Sequence, residues 1–165
     1  TRARMSEAFG AHVDLEEFQN LWMLKHEEIV GDDAMPLMEG ARELLDLIQQ
    51  LGIPRAVATS TRSAQALDRL EKAELLNYFE FVVGGDQVTN SKPDPEIYLT
   101  ATKKLGCNPA GCLAFEDSEN GVKSALGAGL RVIQVPDLVA PSASVRALGH
   151  TILASLREVP GYDFD

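Results

Sequence analysis

The stretch Cys112-Leu-Ala-Phe-Glu116-Asp117-Ser-Glu-Asn-Gly121 decides the fold of this chain. Its apolar first part stops at two adjacent carboxylates, Glu116 and Asp117. Ser118 is a favourable helix N-cap, and the segment that follows it predicts a helix. In a parallel α/β sheet, this order places both carboxylates at the carboxyl end of a strand, which is the edge where such sheets bind ligands.

Two carboxylates side by side at a sheet edge repel each other unless a cation lies between them. Carboxylate oxygens are hard ligands that suit Mg²⁺, and Mg²⁺ readily bridges to the phosphate of a substrate. We therefore predict a Mg²⁺ site at Glu116 and Asp117. The alternative is a strand that ends in solvent, with Asp117 or Ser118 acting only as a helix cap.

The composition is that of an acidic globular domain of 165 residues, of which 45% are hydrophobic. No apolar run approaches the ~20 residues that cross a bilayer, so we expect no membrane partner. The net charge of −10 argues against a nucleic-acid partner, because nucleic-acid surfaces of proteins are normally basic. Cys107 and Cys112 form no CxxC motif, which favours two reduced thiols in a cytoplasmic protein.

From Glu39 onward, helical and strand patterns alternate along the chain. Short apolar runs predict four strands, at residues 55–58, 79–83, 112–116 and 130–135. Apolar faces with helical spacing lie between and after them. Gly52 and Gly106 are expected to end the first and third helices, and Ser63 to cap the second. This βαβ spacing predicts an α/β fold with a three-layer, Rossmann-like parallel sheet flanked by helices.

Residues 1–35 differ in pattern from the rest of the chain. Asp14 and Glu17 have the spacing of a helix N-cap and its N3 partner, and apolar residues follow at roughly helical intervals. Glycine, aspartates and a proline in residues 31–36 indicate a linker. We therefore expect a small helical unit, residues 1–35, followed by a core unit, residues 36–165.

Three hydroxyl side chains, those of Thr59, Ser60 and Thr61, follow the first predicted strand. Hydroxyls and backbone N–H groups just before a helix are suited to binding phosphate oxygens. The commoner meaning of such a run is a helix cap, and both interpretations stay open on these residues alone.

Lys92 lies in the segment Ser91-Lys92-Pro93-Asp94-Pro95. Pro93 favours extended backbone at the lysine, and Pro95 after Asp94 predicts a helix start. A lysine held in so stiff a loop is suited to pair with a carboxylate and a phosphate, whereas the alternative is an ordinary exposed loop lysine. We expect its side chain to be partly exposed, so that Lys92→Ala would leave the fold intact.

Along the chain come the hydroxyl run that begins at Thr59, then the loop of Lys92, then the carboxylate pair Glu116-Asp117. These three motifs, in this order, resemble those of the haloacid dehalogenase-like superfamily. Within it they are similar to β-phosphoglucomutase-like proteins and to sugar-phosphate or phosphoglycolate phosphatases, over residues from about 36 to about 136. The resemblance implies that residues 1–35 are the end of a helical cap. It also implies the roles of six residues: catalysis by Lys92 and Thr59, phosphate binding by Thr59, Ser60, Thr61 and Lys92, and Mg²⁺ binding by Glu116 and Asp117.

One departure from that family concerns its first motif, a strand ending Asp-x-Asp-Gly-Thr that supplies the nucleophilic aspartate. The family has this strand before the cap, so we expect the chain to be a truncated, inactive piece of a longer enzyme. We interpret Asp163-Phe-Asp165, which no apolar strand precedes, as a frayed tail. In the family, the first-motif strand lies between the strands ending at Thr59 and Glu116. We expect those two strands to close on each other, or another segment or a second copy to fill the gap.

The resemblance implies a Mg²⁺-dependent phosphohydrolase that acts on a small phosphorylated metabolite, such as a sugar phosphate, through a phosphoaspartyl intermediate. A phosphosugar mutase is the nearest alternative, because it shares all three motifs. A haloacid dehalogenase is less favoured, since its reaction has no phosphate charge to neutralise. The alternative from a different class is a non-catalytic binding or assembly module.

Overall fold

The computed structural model describes residues 36–161 and, before them, Asp14, Glu17, Phe18, Leu21 and Lys25. The chain divides into two compact units, Thr1–Met35 and Pro36–Asp165. In the first, a carboxylate oxygen of Asp14 accepts a hydrogen bond from the Glu17 amide at 3.1 Å, which confirms Asp14 as a helix N-cap. That this unit is a cap remains a prediction, and the Asp-x-Asp pair near the C-terminus lies outside the described residues.

Five short strands form two sheets, and every ladder is parallel. The strands are β1 (Ala56–Ala58), β2 (Phe81–Val83), β3 (Leu113–Glu116), β4 (Arg131–Gln134) and β5 (Thr151–Ile152). One sheet pairs β1 with β2, and the other has the order β3-β4-β5. The four predicted strands and the parallel α/β class are confirmed. The sequence did not predict β5, because a strand of two residues is too short to show an alternating pattern.

Five helices accompany the strands in the described part of the core unit. They are α1 (Ala41–Gln50), α2 (Ser63–Lys72), α3 (Glu96–Leu105), α4 (Glu119–Gly127) and α5 (Ala143–Arg146). Gly52 and Gly106 follow α1 and α3 with φ of 67° and 70°, which confirms both predicted helix ends. The prediction that Ser63 caps α2 is wrong, because Ser63 is already helical and its hydroxyl donates to Asp86. Among the described residues, no helix has the length and hydrophobicity needed to cross a bilayer.

The sheet of β3 and β4 lies between two helical layers, because successive side chains of a strand point to opposite faces. On one face, Ala114 and Val132 belong to a core formed with α3, α4 and α5. On the other face, Ile133 and Val135 pack with α1 and with the 3₁₀ segment Leu156–Gly161. These two cores give the three-layer arrangement that the sequence predicts.

Among the described residues, no ladder joins β1 to β3. Of the outcomes expected for this gap, closure of the two strands on each other does not occur in this structure, and filling by another segment or a second copy stays a prediction. The Thr59 amide donates to the carbonyl of Val83 at 3.0 Å, so residue 59 faces β2. Backbone groups alternate in direction along a strand, and the carbonyl of Ala58 therefore lies on the opposite, free edge of β1. The carboxyl ends of β1 and β3 border one pocket.

Candidate functional site

A pocket of about 460 Å³ opens at the carboxyl ends of β1 and β3. Its apolar wall consists of Met38, Ala58, Phe115, Val135 and Leu156. Its polar wall consists of Thr59, Ser60, Lys92, Glu116, Asp117 and Ser118. The structure thus brings together all the predicted site residues except Thr61, which does not line the pocket. Sequence reasoning missed the apolar wall, because Met38 and Leu156 come from segments far from any motif.

The loop after β1 holds Thr59 in a fixed orientation. Its Oγ1 atom accepts a hydrogen bond from the Thr61 amide at 3.1 Å. The carbonyl of Thr61 in turn accepts one from the Gly85 amide at 3.0 Å. A Cβ atom on Gly85 would lie 2.5 Å from the carbonyl oxygen of Ser60, so the loop needs glycine at this position. Thr61 therefore acts through its backbone, and the Thr59 hydroxyl keeps its hydrogen for an acceptor in the pocket.

Lys92 is less exposed than expected, since only 10% of its side chain is accessible to solvent. Its ammonium donates to the carbonyl of Ala58 at 3.0 Å, to the hydroxyl of Tyr98 at 3.4 Å and to Oε1 of Glu116. These acceptors come from β1, α3 and β3, and together they use all three N–H donors of the lysine. This geometry leads us to expect instead that Lys92→Ala destabilises the fold, because it would leave Glu116 as a buried, unpaired carboxylate.

Glu116 faces inward, with its side chain 6% exposed. Oε1 accepts hydrogen bonds from Lys92 and Tyr98, and Oε2 accepts one from the Ser118 hydroxyl at 3.3 Å. Ser118 also accepts a hydrogen bond from the Gly121 amide at 3.1 Å, which confirms it as the N-cap of α4. Both oxygens of Glu116 are therefore engaged by the protein itself.

Tyr98 is a site residue that sequence reasoning missed. It is 7% exposed, its hydroxyl donates to Glu116, and the Lys92 ammonium lies 4.8 Å from the centroid of its ring. Burial, followed by the negative charge of Glu116, raises the pKa of the Tyr98 phenol, so the hydroxyl is a neutral donor. In the sequence Tyr98 occupies an ordinary apolar position of α3. The one feature of the sequence that could have identified Tyr98 as a site residue is its position. It lies six residues after Lys92, on the helix that follows the loop of Lys92.

Two carboxylates that follow the cis Lys92–Pro93 bond, those of Asp94 and Glu96, fix the loop that carries the lysine. Glu96 accepts hydrogen bonds from the amides of Thr89 and Asn90, both at 2.8 Å. These bonds hold the pKa of the Glu96 carboxyl below its usual value. Asp94 accepts a hydrogen bond from the Glu96 amide at 3.0 Å. The helix begins at Glu96 with Pro95 as its N-cap, one residue later than predicted.

Asp117 has the exposed carboxylate of the pocket, and within the described residues this carboxylate makes no hydrogen bond or ion pair. The described residues contain no group of three or more His, Cys, Asp or Glu side chains able to hold a metal. Mg²⁺ nevertheless requires only one or two carboxylates, because it keeps several of its waters. Asp117 therefore fits Mg²⁺ as a direct ligand. Glu116 fits less well, since both of its oxygens already accept hydrogen bonds.

Comparison with known proteins shows the family. Residues 1–135 match the family described as Haloacid dehalogenase-like hydrolase. The chain belongs to the haloacid dehalogenase-like hydrolases. The resemblance stated from the three motifs is therefore confirmed, and the haloacid dehalogenase-like fold agrees with the parallel sheets and flanking helices described above.

Named relatives of this haloacid dehalogenase-like chain include phosphatases. It is 46% identical over 94 residues to Phosphorylated carbohydrates phosphatase of Thermotoga maritima. The matched region is 57% of this chain and 44% of that protein. It is 33% identical over 136 residues to Hexitol phosphatase B of Escherichia coli K12. That match includes 80% of this chain and 60% of the relative. A crystal structure of a CbbY variant from Rhodobacter sphaeroides, in complex with xylulose-(1,5)bisphosphate, has a TM-score of 0.73 at 27% identity and covers 90% of this chain and 67% of that chain. The chain thus spans about half the length of the curated relatives it matches.

Proposed function

We propose that the pocket binds the phosphate group of a phosphorylated sugar together with Mg²⁺, for hydrolysis of the phosphomonoester. The observation that carries this proposal is the meeting of Thr59, Lys92 and Asp117 in one pocket. They supply a hydroxyl donor, a cation and an exposed carboxylate. The names of the relatives, which are phosphatases of phosphorylated carbohydrates and of hexitols, support the substrate class.

Each pocket residue has a distinct part in this proposal. The hydroxyl of Thr59 and the backbone N–H groups around Ser60 donate to phosphate oxygens. Lys92 exchanges its hydrogen bond to the carbonyl of Ala58 for one to the phosphate and keeps its ion pair with Glu116. Asp117 would hold Mg²⁺, with Glu116 beside it. When bound, Mg²⁺ neutralises charge on the phosphate.

A phosphoaspartyl intermediate needs a carboxylate that is free to attack phosphorus. Among the described pocket residues, the carboxylates are those of Glu116 and Asp117. Glu116 is tied to Lys92, and Asp117 is assigned to the metal. We therefore infer that the attacking aspartate is not among the described residues, and we expect phosphate binding without hydrolysis from these residues alone.

Thermal unfolding in the presence of ligands tests this function. A ligand that binds only the folded chain stabilises it by about 2.7 kcal/mol when present at 100 times its Kd. We expect a hexose phosphate with Mg²⁺ to raise the Tm, and the unphosphorylated hexose and a 2-haloacid to leave it unchanged. Equal protection by the unphosphorylated sugar, or protection by the haloacid, would contradict the proposal. In a protein preparation that converts a sugar phosphate, the product distinguishes the two enzyme classes. A hydrolase releases inorganic phosphate, whereas a mutase produces an isomerised sugar phosphate.

We also propose that the chain self-associates through the free edges of β1 and β3. In the described part of the chain, neither edge has a ladder partner on the side facing the other. Unpaired strand edges can pair with strands of other chains. Sedimentation velocity at rising protein concentration should show a dimer, and a monomer at every concentration would contradict self-association.

We propose that the protein is cytoplasmic. Cys107 and Cys112 are both free thiols, and free thiols persist in reducing compartments. A disulfide between them in protein isolated from cells under thiol-blocking conditions would contradict this location.

A further inference from the structure

Tyr98 contacts both members of the buried ion pair at the pocket. Its hydroxyl accepts a hydrogen bond from the ammonium of Lys92 at 3.4 Å and donates one to Oε1 of Glu116. The face of its ring also lies against the ammonium, which is 4.8 Å from the ring centroid. One side chain therefore supplies a hydrogen-bond acceptor and a cation–π surface to the same lysine.

A lysine side chain has a flexible four-carbon stem and a compact charge, so one ion pair does not fix where its ammonium lies. In this pocket the ammonium has three acceptors, on Ala58, Tyr98 and Glu116. Ala58 and Glu116 belong to two sheets that share no ladder in the described part of the chain. Tyr98 lies on α3, which continues directly from the loop of Lys92, so it connects the lysine to a rigid element.

We propose that Tyr98 is a positioning residue that holds the ammonium of Lys92 at the free edge of β1, where it meets a bound phosphate. This role rests on the proposed phosphate-binding function and adds to it a residue that does not line the pocket. Tyr98 acts through Lys92 and Glu116 and does not itself touch the substrate.

The chain offers matched variants for a test. Tyr98→Phe keeps the ring and its packing and removes only the hydroxyl, since the two side chains have nearly the same shape. Thr102→Val removes another buried hydroxyl of α3, from a residue that is 4% exposed. The Thr102 hydroxyl donates to the carbonyls of Tyr98 and Leu99 within its own helix, so its loss does not reach the pocket.

The nitrogen–proton NMR signal of the Lys92 ammonium reports its immobilisation directly and does not depend on any ligand. The signal is assigned by its absence from Lys92→Arg. We expect it in the wild-type chain and in Thr102→Val, and we expect it to broaden or disappear in Tyr98→Phe. An unchanged signal in Tyr98→Phe overturns the positioning role.

Calorimetric titration with inorganic phosphate in the presence of Mg²⁺ gives the functional readout. Tyr98→Phe should weaken phosphate binding by about tenfold, because it removes one hydrogen bond to a charged group. Thr102→Val should leave phosphate binding unchanged. If wild type binds no phosphate while the Lys92 signal still depends on Tyr98, the proposed function fails and the positioning role stands. If wild type and Tyr98→Phe bind phosphate equally and share one Lys92 signal, the positioning role fails and the function stands.

Discussion

Gly121 lies so close to Glu116 that a Cβ atom built on it would be 1.8 Å from Oε2 of the carboxylate. Glycine inside a helix costs about 0.5–1 kcal/mol relative to alanine. The first turn of α4 nevertheless has glycine here, because its backbone packs directly against a buried charged group. The glycine that ends the Glu-Asp motif is therefore required by packing at the site.

Gly121→Ala should destabilise the fold, although alanine is the better helix former. The new methyl group must displace the carboxylate of Glu116, and we expect the free energy of unfolding in urea to fall by about 1–3 kcal/mol. Gly127→Ala, at the other end of the same helix, is the control, since its Cβ would lie 3.6 Å from Pro95, an ordinary contact. Equal stability of the two variants would show that residue 121 has room for a side chain.

Lys92→Ala should lower the free energy of unfolding by about 3–5 kcal/mol, because it leaves Glu116 buried without its partner. Adding Glu116→Gln removes that charge, so the double variant should recover part of the loss. Lys123→Ala is the control, since Lys123 is exposed on α4, and we expect a change within about 0.5 kcal/mol. A Lys92→Ala variant as stable as wild type would mean that the ion pair contributes nothing to the fold.

Asp117→Asn should leave the free energy of unfolding unchanged and abolish any effect of Mg²⁺ on phosphate binding. The side chain is exposed, and asparagine keeps its shape while removing the charge that attracts the cation. Urea unfolding and phosphate titration with and without Mg²⁺ measure the two effects separately. If Mg²⁺ strengthens phosphate binding equally in wild type and in the variant, Asp117 is not a metal ligand.

His150 should make stability depend on pH. The amide nitrogen of Gln134 donates to the carbonyl of Asp117, so its oxygen accepts the hydrogen bond from Nε2 of His150 at 2.9 Å. Nδ1 of His150 is buried and has no hydrogen-bond partner among the described residues, and burial lowers the pKa of this histidine. The unfolded chain therefore binds this proton at a higher pH than the folded chain does.

Stability should accordingly fall as the pH falls from about 6.5, the ordinary pKa of histidine, towards the lower pKa of folded His150. Urea unfolding at a series of pH values across this window measures the slope. His150→Gln, which has no titrating group, should show a smaller slope. The same slope in wild type and variant would rule out His150 as its source.

Much of the fold follows from local patterns in the sequence. Short apolar runs predicted β1 to β4, and the spacing of Ser118 and Asp14 before their helices predicted two N-caps. The buried contacts of Lys92 were not predictable, because they join β1, β3 and α3, and no local pattern records which elements meet. Closure of β1 on β3 was one of the expected outcomes and does not occur. That expectation considered only backbone partners, whereas the carbonyl of Ala58 accepts a hydrogen bond from the side chain of Lys92.

Calorimetric titration of this chain with inorganic phosphate, with and without Mg²⁺, tests the phosphate site most directly. We expect one phosphate per chain, tighter binding in the presence of Mg²⁺, and weaker binding in Thr59→Val. This variant also loses the hydrogen bond from the Thr61 amide, so we expect its free energy of unfolding to fall by about 1 kcal/mol. Thr59→Val is informative because it removes the pocket hydroxyl without touching the buried ion pair. The absence of phosphate binding, or binding that neither Mg²⁺ nor Thr59→Val changes, would contradict the assignment of this pocket.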